Sequence, residues 1–405
     1  MNCPRLCWDN QLNRRTAKVC TVDSSRILAV LLILHIPFLD EVSVWFRVAV
    51  WRTGGFRFRG GSGVCDIMPP SKYKSRVDNM KVALILPWYG AKPWYWPLFE
   101  ASAGRIGMDV IVVAEKGFRV KERNFRVVEM SLDDVRQRAE KVLGTGVNLT
   151  RGYKLCDLRP MYGVVFADIL EGYDYWAYGD CDVIYGRKFN DFLAKAVDGN
   201  WDVATVRSKW LSGPFTMLKN VPGINTLFER ARDWRDMLSR PDNQWFDELG
   251  KDWFKLQCFG GVPLEELYRR DWTFGGIVWS ATDIRFLHED VAVEDPLKRC
   301  GLRMHRDGRL MFGGSEIAMF HAIEAKRSPG FTGRMLPGEY ADEYVLTRCG
   351  YLPAGNGFLR AAVAAGHFAR GWCAFAWKLV SGDVSARAQV RRWLRHRLGH
   401  SDWWR

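Results

Sequence analysis

Two hydrophobic rhythms share the central part of this chain. From Met80 onward, short unbroken apolar runs alternate with stretches of helical spacing, which predicts strands alternating with helices and an α/β fold. Residues 82–86 read as a strand buried on both faces, ended by Pro87-Trp88-Tyr89-Gly90. A helix is expected over 97–106 and a second buried strand at 109–114. Ser131 caps a helix running to Leu143, with Asp133 and Asp134 in its first turn. The strongest periodicity belongs to Leu158, Met161, Tyr162, Val165, Phe166, Ile169 and Leu170, spaced as one face of a single helix. Asp157 suits its N-cap, Pro160 its first turn and Gly172 its end. A strand at 174–178 then delivers Gly179-Asp180-Cys181-Asp182 at its carboxyl end. Further on, helices are expected over 187–197 and 221–238, and strands at 201–206, 276–281 and 315–321. A hairpin is expected over 302–312 around a type I′ turn at Asp307-Gly308. Beyond Pro329 the pattern changes, and 358–380 and 386–398 read as helices.

Charge divides the chain in the same way. The net charge of +13 first suggests nucleic acid or an anionic surface. Residues 1–79 carry 12 Lys/Arg against 6 Asp/Glu and residues 331–405 carry 11 against 5, whereas 80–330 carry 36 against 35. The middle is therefore balanced like an ordinary enzyme, which argues against a nucleic-acid-binding protein. Residues 1–79 read as a disordered extension or a misplaced start. Their apolar stretch at 27–38 is cut short by Asp40 and Glu41, well below the roughly 20 residues of a membrane span. The ten cysteines include no C-x-x-C pair, which favours a reducing compartment over a disulfide framework or a zinc site. Residues 331–405 form a basic, Trp-rich segment expected to be helical. Such helices lie readily on anionic membrane surfaces, so the expected location is cytoplasmic with peripheral membrane contact.

Asp180 and Asp182 stand one residue apart where an aromatic strand turns. Carboxylates so placed can reach one hard cation, Mg²⁺ or Mn²⁺. Such an ion bridges a diphosphate and neutralises the charge that develops as it leaves. Open α/β sheets bind ligands at the carboxyl ends of their strands, which is where this pair is expected.

Several segments together carry a resemblance. They are Leu84 to Gly90, Tyr153 to Gly163, Tyr178 to Gly186, Leu211 to Phe215 with Asn220, Phe246-Asp247-Glu248, and Met319-Phe320-His321 with Lys326. In this order they resemble bacterial GT-A-like glycosyltransferases of polysaccharide biosynthesis, the makers of capsule and cell-surface glycans. The resemblance covers about residues 80–330. It implies a GT-A-like (Rossmann-like) nucleotide-sugar-binding domain with a mixed central sheet, followed here by the helical tail. The implied reaction moves a sugar from a nucleotide-diphosphate donor, UDP in the first instance, to a glycan or lipid-linked acceptor.

Residue roles follow from that resemblance. Asp182 would be the main metal ligand, with Asp180 facing ribose or metal and His321 supplying a third ligand. An imidazole suits Mn²⁺ better than Mg²⁺. Lys326 would meet the diphosphate as a point charge. Lys154 and Asp157 would hold a phosphate and the donor sugar at a helix N terminus, plain N-capping being the alternative for Asp157. Pro87, Trp88 and Tyr89 would cradle the base, and Ser212 and Gly213 would line the donor-sugar or acceptor side. Asp247 or Glu248 would be the catalytic base. Two competing readings remain: a metal-dependent nucleotidyltransferase, and a non-catalytic nucleic-acid- or membrane-binding protein. The first expects a glycine-rich basic loop after the opening strand, where this chain has Pro-Trp-Tyr-Gly-Ala-Lys-Pro-Trp.

Overall fold

A computed structural model describes residues 80–327 apart from 259, 296, 298 and 299, together with 343–347 and 350–353. Its strands are Val82–Trp88 (β1), Asp109–Ala114 (β2), Phe125–Glu129 (β3), Tyr175–Gly179 (β4), Val183–Tyr185 (β5), Val203–Thr205 (β6), Phe215–Lys219 (β7) and Phe286–His288 (β8). They continue with Ala292–Val293 (β9), Leu302–Met304 (β10), Leu310–Phe312 (β11), Ser315–Ile317 (β12), Met319–His321 (β13), Tyr344–Thr347 (β14) and Gly350–Pro353 (β15). Seven of them form a central sheet in the order β3-β2-β1-β4-β7-β6-β8. Strands β3, β2, β1 and β4 run parallel, β7 is antiparallel to β4 and β6, and β8 is parallel to β6. The fold is thus mixed α/β around a mixed sheet.

Successive residues of β1 enter opposite layers, as the two-residue period of a strand requires. Ala83 and Ile85 pack with Ile111, Val113, Trp176 and Tyr178 into one core, and Val82, Leu84 and Leu86 with Val110, Val112, Tyr175 and Ala177 into the other. The first core also takes helix Leu132–Leu143, and the second takes helices Trp96–Ala103 and Phe189–Asp198. Burial on both sides explains why these strands read as unbroken apolar runs.

Several expectations need correction. The long helix over 158–170 is instead a chain of short turns, Leu155–Leu158, Arg159–Met161 and Tyr162–Val165, with 3₁₀ geometry at Arg159–Met161. Pro160 has no N–H for a helical bond to Cys156, and the Arg159 N–H takes that carbonyl in a tighter turn. The apolar stripe still faces inward, since Leu158, Met161, Tyr162, Val165, Phe166 and Leu170 are all buried. The helix expected over 221–238 is similarly divided into Pro222–Asn225, Leu227–Arg230 and Trp234–Ser239. The strand expected at 276–281 is a helix, Phe274–Ser280, capped by the Thr273 hydroxyl on the Gly276 N–H. A short apolar run does not distinguish a buried strand from a buried helix. The expected strand 315–321 is two strands in different sheets, β12 and β13. The hairpin β10–β11 is present, but its turn is not type I′. The Gly308 N–H bonds to the His305 carbonyl and the His305 N–H to the Arg309 carbonyl, with only Gly308 at positive φ (+83°). That is a type I turn closed by a glycine bulge.

Two smaller sheets adjoin the central one, β5-β13-β9 and β12-β11-β10-β14-β15. Pairing of β14 with β10 carries the described fold past residue 330. The helices expected over 358–380 and 386–398, and everything before Met80, lie outside the described residues. No helix among the described residues is long and apolar enough to cross a membrane.

Candidate metal centre and its carboxylate neighbours

Asp180 and Asp182 lie between β4 and β5. Because β1 and β4 run parallel with Ile85 opposite Tyr178, Pro87, Trp88 and Tyr89 leave the sheet at the same end as this pair. Strand β5 then pairs antiparallel with β13, His321 opposite Val183, and the Ala322 N–H bonds to the Asp182 carbonyl at 2.8 Å. A residue 139 positions beyond Asp182 is thereby carried to its side. His321 Nε2 lies 3.5 Å from Asp182 Oδ2 and 3.9 Å from Asp180 Oδ2. One ligand atom from each of the three residues falls within 4.8 Å of the others.

The orientation of the imidazole is fixed from behind. Strand β9 is parallel to β13 with Val293 opposite Phe320, which brings Glu294 to His321. Nδ1 of His321 is 2.7 Å from Glu294 Oε1. Once the Nε2 proton is released, the proton left on Nδ1 is donated to that carboxylate and the Nε2 lone pair faces the aspartates, the arrangement seen behind metal-binding histidines. Glu294 is itself paired with Arg207. Two carboxylates and an oriented imidazole make a mixed oxygen and nitrogen donor set that fits a divalent cation.

Local charge is finely opposed here. Burial disfavours the charged form of Asp182, yet hydrogen bonds and charge from His321 and Lys326 hold its carboxyl well below the usual range. Burial likewise favours a neutral His321, but hydrogen bonds to Asp182 and Glu294 lift its pKa to about 9. Lys326, delivered by the turn Ala325–Arg327, donates to Asp182 Oδ2 and remains partly open, with 38% of its side chain exposed.

On the other side of Asp180 stands a second acidic group. Arg159 donates through Nη2 to Asp180 Oδ1 and through Nη1 to Asp247 Oδ2, the latter at 2.9 Å. Glu248 accepts from the Gly213 N–H at 3.3 Å and from Trp253 Nε1 at 3.0 Å. Burial pushes the Asp247 carboxyl up to about 8, with Arg159 opposing and Glu248 assisting. Glu248 is raised as well, chiefly by burial. Gly213 sits at the junction, where an added Cβ would lie 3.0 Å from Arg159 Nη1 and 3.1 Å from Glu248 Oε1. The Ser212 N–H bonds to Thr205 Oγ1 at 2.9 Å, and its buried hydroxyl has no partner.

Lys154 and Asp157 are placed differently from expectation. Both are sealed in, 3% and 0% exposed, with Lys154 Nζ 2.8 Å from Asp157 Oδ2. Lys154 spends its other N–H groups on the carbonyls of Met237 and Asp242, while Asp157 accepts from the Gln244 and Phe246 N–H groups. Asp157 therefore caps no helix, and the pair ties down the segment that carries Asp247. Trp88 packs against Trp96 with ring centres 5.8 Å apart, and the Tyr89 hydroxyl donates to the Met130 carbonyl at 3.1 Å. The sequence reading missed Arg159, Glu294 and Trp253. Arg159 left a trace as the one charge inside the apolar stripe of 158–166, whereas Glu294 and Trp253 carry no periodic signal.

A model of a family of unknown function, DUF6625, matches residues 84–272. That span is under half of the chain; it includes Arg159, Asp180, Asp182, Asp247 and Glu248 but not His321 or Lys326. No curated protein matches. Among solved structures, mouse xyloside xylosyltransferase 1 in its apo form is similar at 8% identity and a TM-score of 0.32, over 60% of this chain and 96% of that one. The glycosyltransferase GlyE of Streptococcus pneumoniae TIGR4 is similar at 14% identity and a TM-score of 0.23, over 46% of this chain and 53% of that one. The chain thus bears a distant structural similarity to glycosyltransferases, too slight by itself to bear on activity.

Proposed function

We propose that the protein is a metal-dependent glycosyltransferase of GT-A type that uses a nucleotide-diphosphate sugar. The observation that carries this reading is the convergence of Asp180, Asp182 and His321 at the carboxyl end of β4, with Glu294 orienting the imidazole. Asp180, Asp182 and His321 would hold Mn²⁺ or Mg²⁺. A divalent ion there supplies Lewis-acid neutralisation of the departing diphosphate. Lys326 adds a positive charge beside it, and Pro87, Trp88 and Tyr89 form the wall for the base. Ser212 and Gly213 would line the donor-sugar or acceptor side. Asp247 accepts the acceptor hydroxyl proton, since burial brings its pKa near working pH, where a general base is most effective. Glu248 shapes that side from its anchors on Gly213 and Trp253.

The acceptor class in this reading is a glycan or a lipid-linked sugar. The basic, Trp-rich residues that follow β15 would hold the enzyme at an anionic membrane surface on the cytoplasmic side. Calorimetry with UDP and GDP, with and without Mn²⁺, tests the donor site. Metal-dependent micromolar binding is expected in the full chain, with a loss of at least about 100-fold in Asp182→Ala. Binding that ignores both Mn²⁺ and Asp182→Ala would refute the reading.

A further inference from the structure

Arg159 serves two carboxylates that belong to different parts of the fold. Asp180 follows β4, while Asp247 lies on the segment anchored by Asp157. The guanidinium forks between them, Nη2 to Asp180 and Nη1 to Asp247. Its surroundings leave it little freedom. Its side chain is 12% exposed, the Tyr178 ring lies 5.8 Å from its central carbon, and Gly213 packs against Nη1. Asp180 therefore has two claimants, Arg159 on one oxygen and any cation held with Asp182 and His321 on the other.

We propose that Arg159 is a positioning residue that couples cation binding at Asp180 to the placement of Asp247. Electron density that Asp180 gives to a cation weakens its bond to Arg159, and the guanidinium then commits to Asp247 and fixes that carboxylate. By reciprocity, whatever loosens Asp247 must alter cation affinity. The coupling needs a fork. Two N–H groups on separate nitrogens can satisfy two carboxylates at once, whereas a single ammonium cannot hold both in this geometry. The inference rests on the reading of Asp180, Asp182 and His321 as a cation site.

The test is Mn²⁺ affinity of the full-length protein, read from the paramagnetic resonance of free Mn²⁺ and from calorimetry. Asp247→Asn, which touches no ligand, is expected to weaken Mn²⁺ binding about fivefold or more, within the usual range of coupling between sites. Its Arg159 then closes on Asp180 alone. Arg159→Gln is expected to tighten binding severalfold, a direction that a damaged fold does not produce. Glu248→Gln, which removes a neighbouring carboxylate that Arg159 does not touch, should stay within about twofold of the parent. In the Arg159→Lys background, Asp247→Asn should add less than about twofold. The proposal is overturned if Asp247→Asn leaves Mn²⁺ affinity unchanged while the parent binds. Equal weakening by Glu248→Gln, or persistence of the Asp247 effect in Arg159→Lys, also overturns it by reducing the effect to bulk charge. Absence of Mn²⁺ binding in the parent would remove the cation site itself, a failure distinct from these.

Discussion

Two lysine–aspartate pairs in this molecule share the same chemistry and differ in almost everything else. Lys154–Asp157 is closed on every side, with backbone N–H groups and carbonyls using all the capacity that the two side chains do not spend on each other. Lys326–Asp182 is closed on one side only. Asp182 is buried, but Lys326 is more than a third exposed and His321 competes for the same carboxylate oxygen. The first pair joins two segments of chain and has nothing left to offer a ligand. The second keeps a carboxylate charged in a buried place and holds it with groups that a cation and an anion can displace. Charge near a phosphate-binding position is therefore a poor guide to function until its hydrogen-bond partners are counted.

The contrast breaks most visibly at Asp157. Removing it leaves a buried ammonium and two buried N–H groups unpaired, so Asp157→Ala should cost about 3–5 kcal/mol. Thermal unfolding would then begin on the order of 10 °C lower, while Mn²⁺ affinity of the protein that remains folded stays within about twofold. A large loss of Mn²⁺ affinity at full stability would reverse the assignment of the two pairs.

Acidity sharpens the other side of the comparison. The His321 pKa is raised from 6.5 to about 9. Its contribution to stability is complete below pH 6.5 and is lost as pH rises through 9. For Asp182, whose pKa is lowered from 3.8, the contribution is complete above that value and is lost as pH falls below it. Cation binding needs the neutral imidazole and must release its proton. Mn²⁺ affinity should therefore rise by roughly tenfold per pH unit between pH 6.5 and 8.5, even as the unliganded protein becomes less stable. In paired thermal-shift series, stability should fall with pH without Mn²⁺ and stay nearly level with saturating Mn²⁺, so that the gap between the two widens. Parallel slopes would show that His321 is not a ligand.

How much of this was legible in the chain depends on the distance over which each feature is decided. The buried parallel strands β1, β2 and β4 were readable because burial on both faces makes their sequences continuously apolar. Strand β3 gives no such signal. It lies at the sheet edge, and Arg126 and Glu129 in its short run Phe125–Glu129 are exposed. The Asp180, Asp182 and His321 set is nameable because the order of segments resembles a known pattern. Arg159 and Glu294 were not, since each acquires its meaning from a pairing across the fold. No local spacing announces that β9 will run beside β13. Lys154 and Asp157 mislead for the same reason, as their partners lie more than 80 residues away.

The smallest expected effect is the most discriminating. Lys326→Met removes a partly exposed ammonium from a carboxylate that retains His321, so stability should change by no more than about 1 kcal/mol. Mn²⁺ alone should bind slightly better, because a competing charge has gone. Affinity for UDP in the presence of Mn²⁺ should instead fall about tenfold, the value of one charge-assisted hydrogen bond. The two effects have opposite signs in one variant, which separates a lysine that faces the diphosphate from one that merely neutralises Asp182. A neutralising lysine would give the first effect without the second. It would then resemble Lys154 in role, and the distinction between the sealed and the open pair would be one of burial alone.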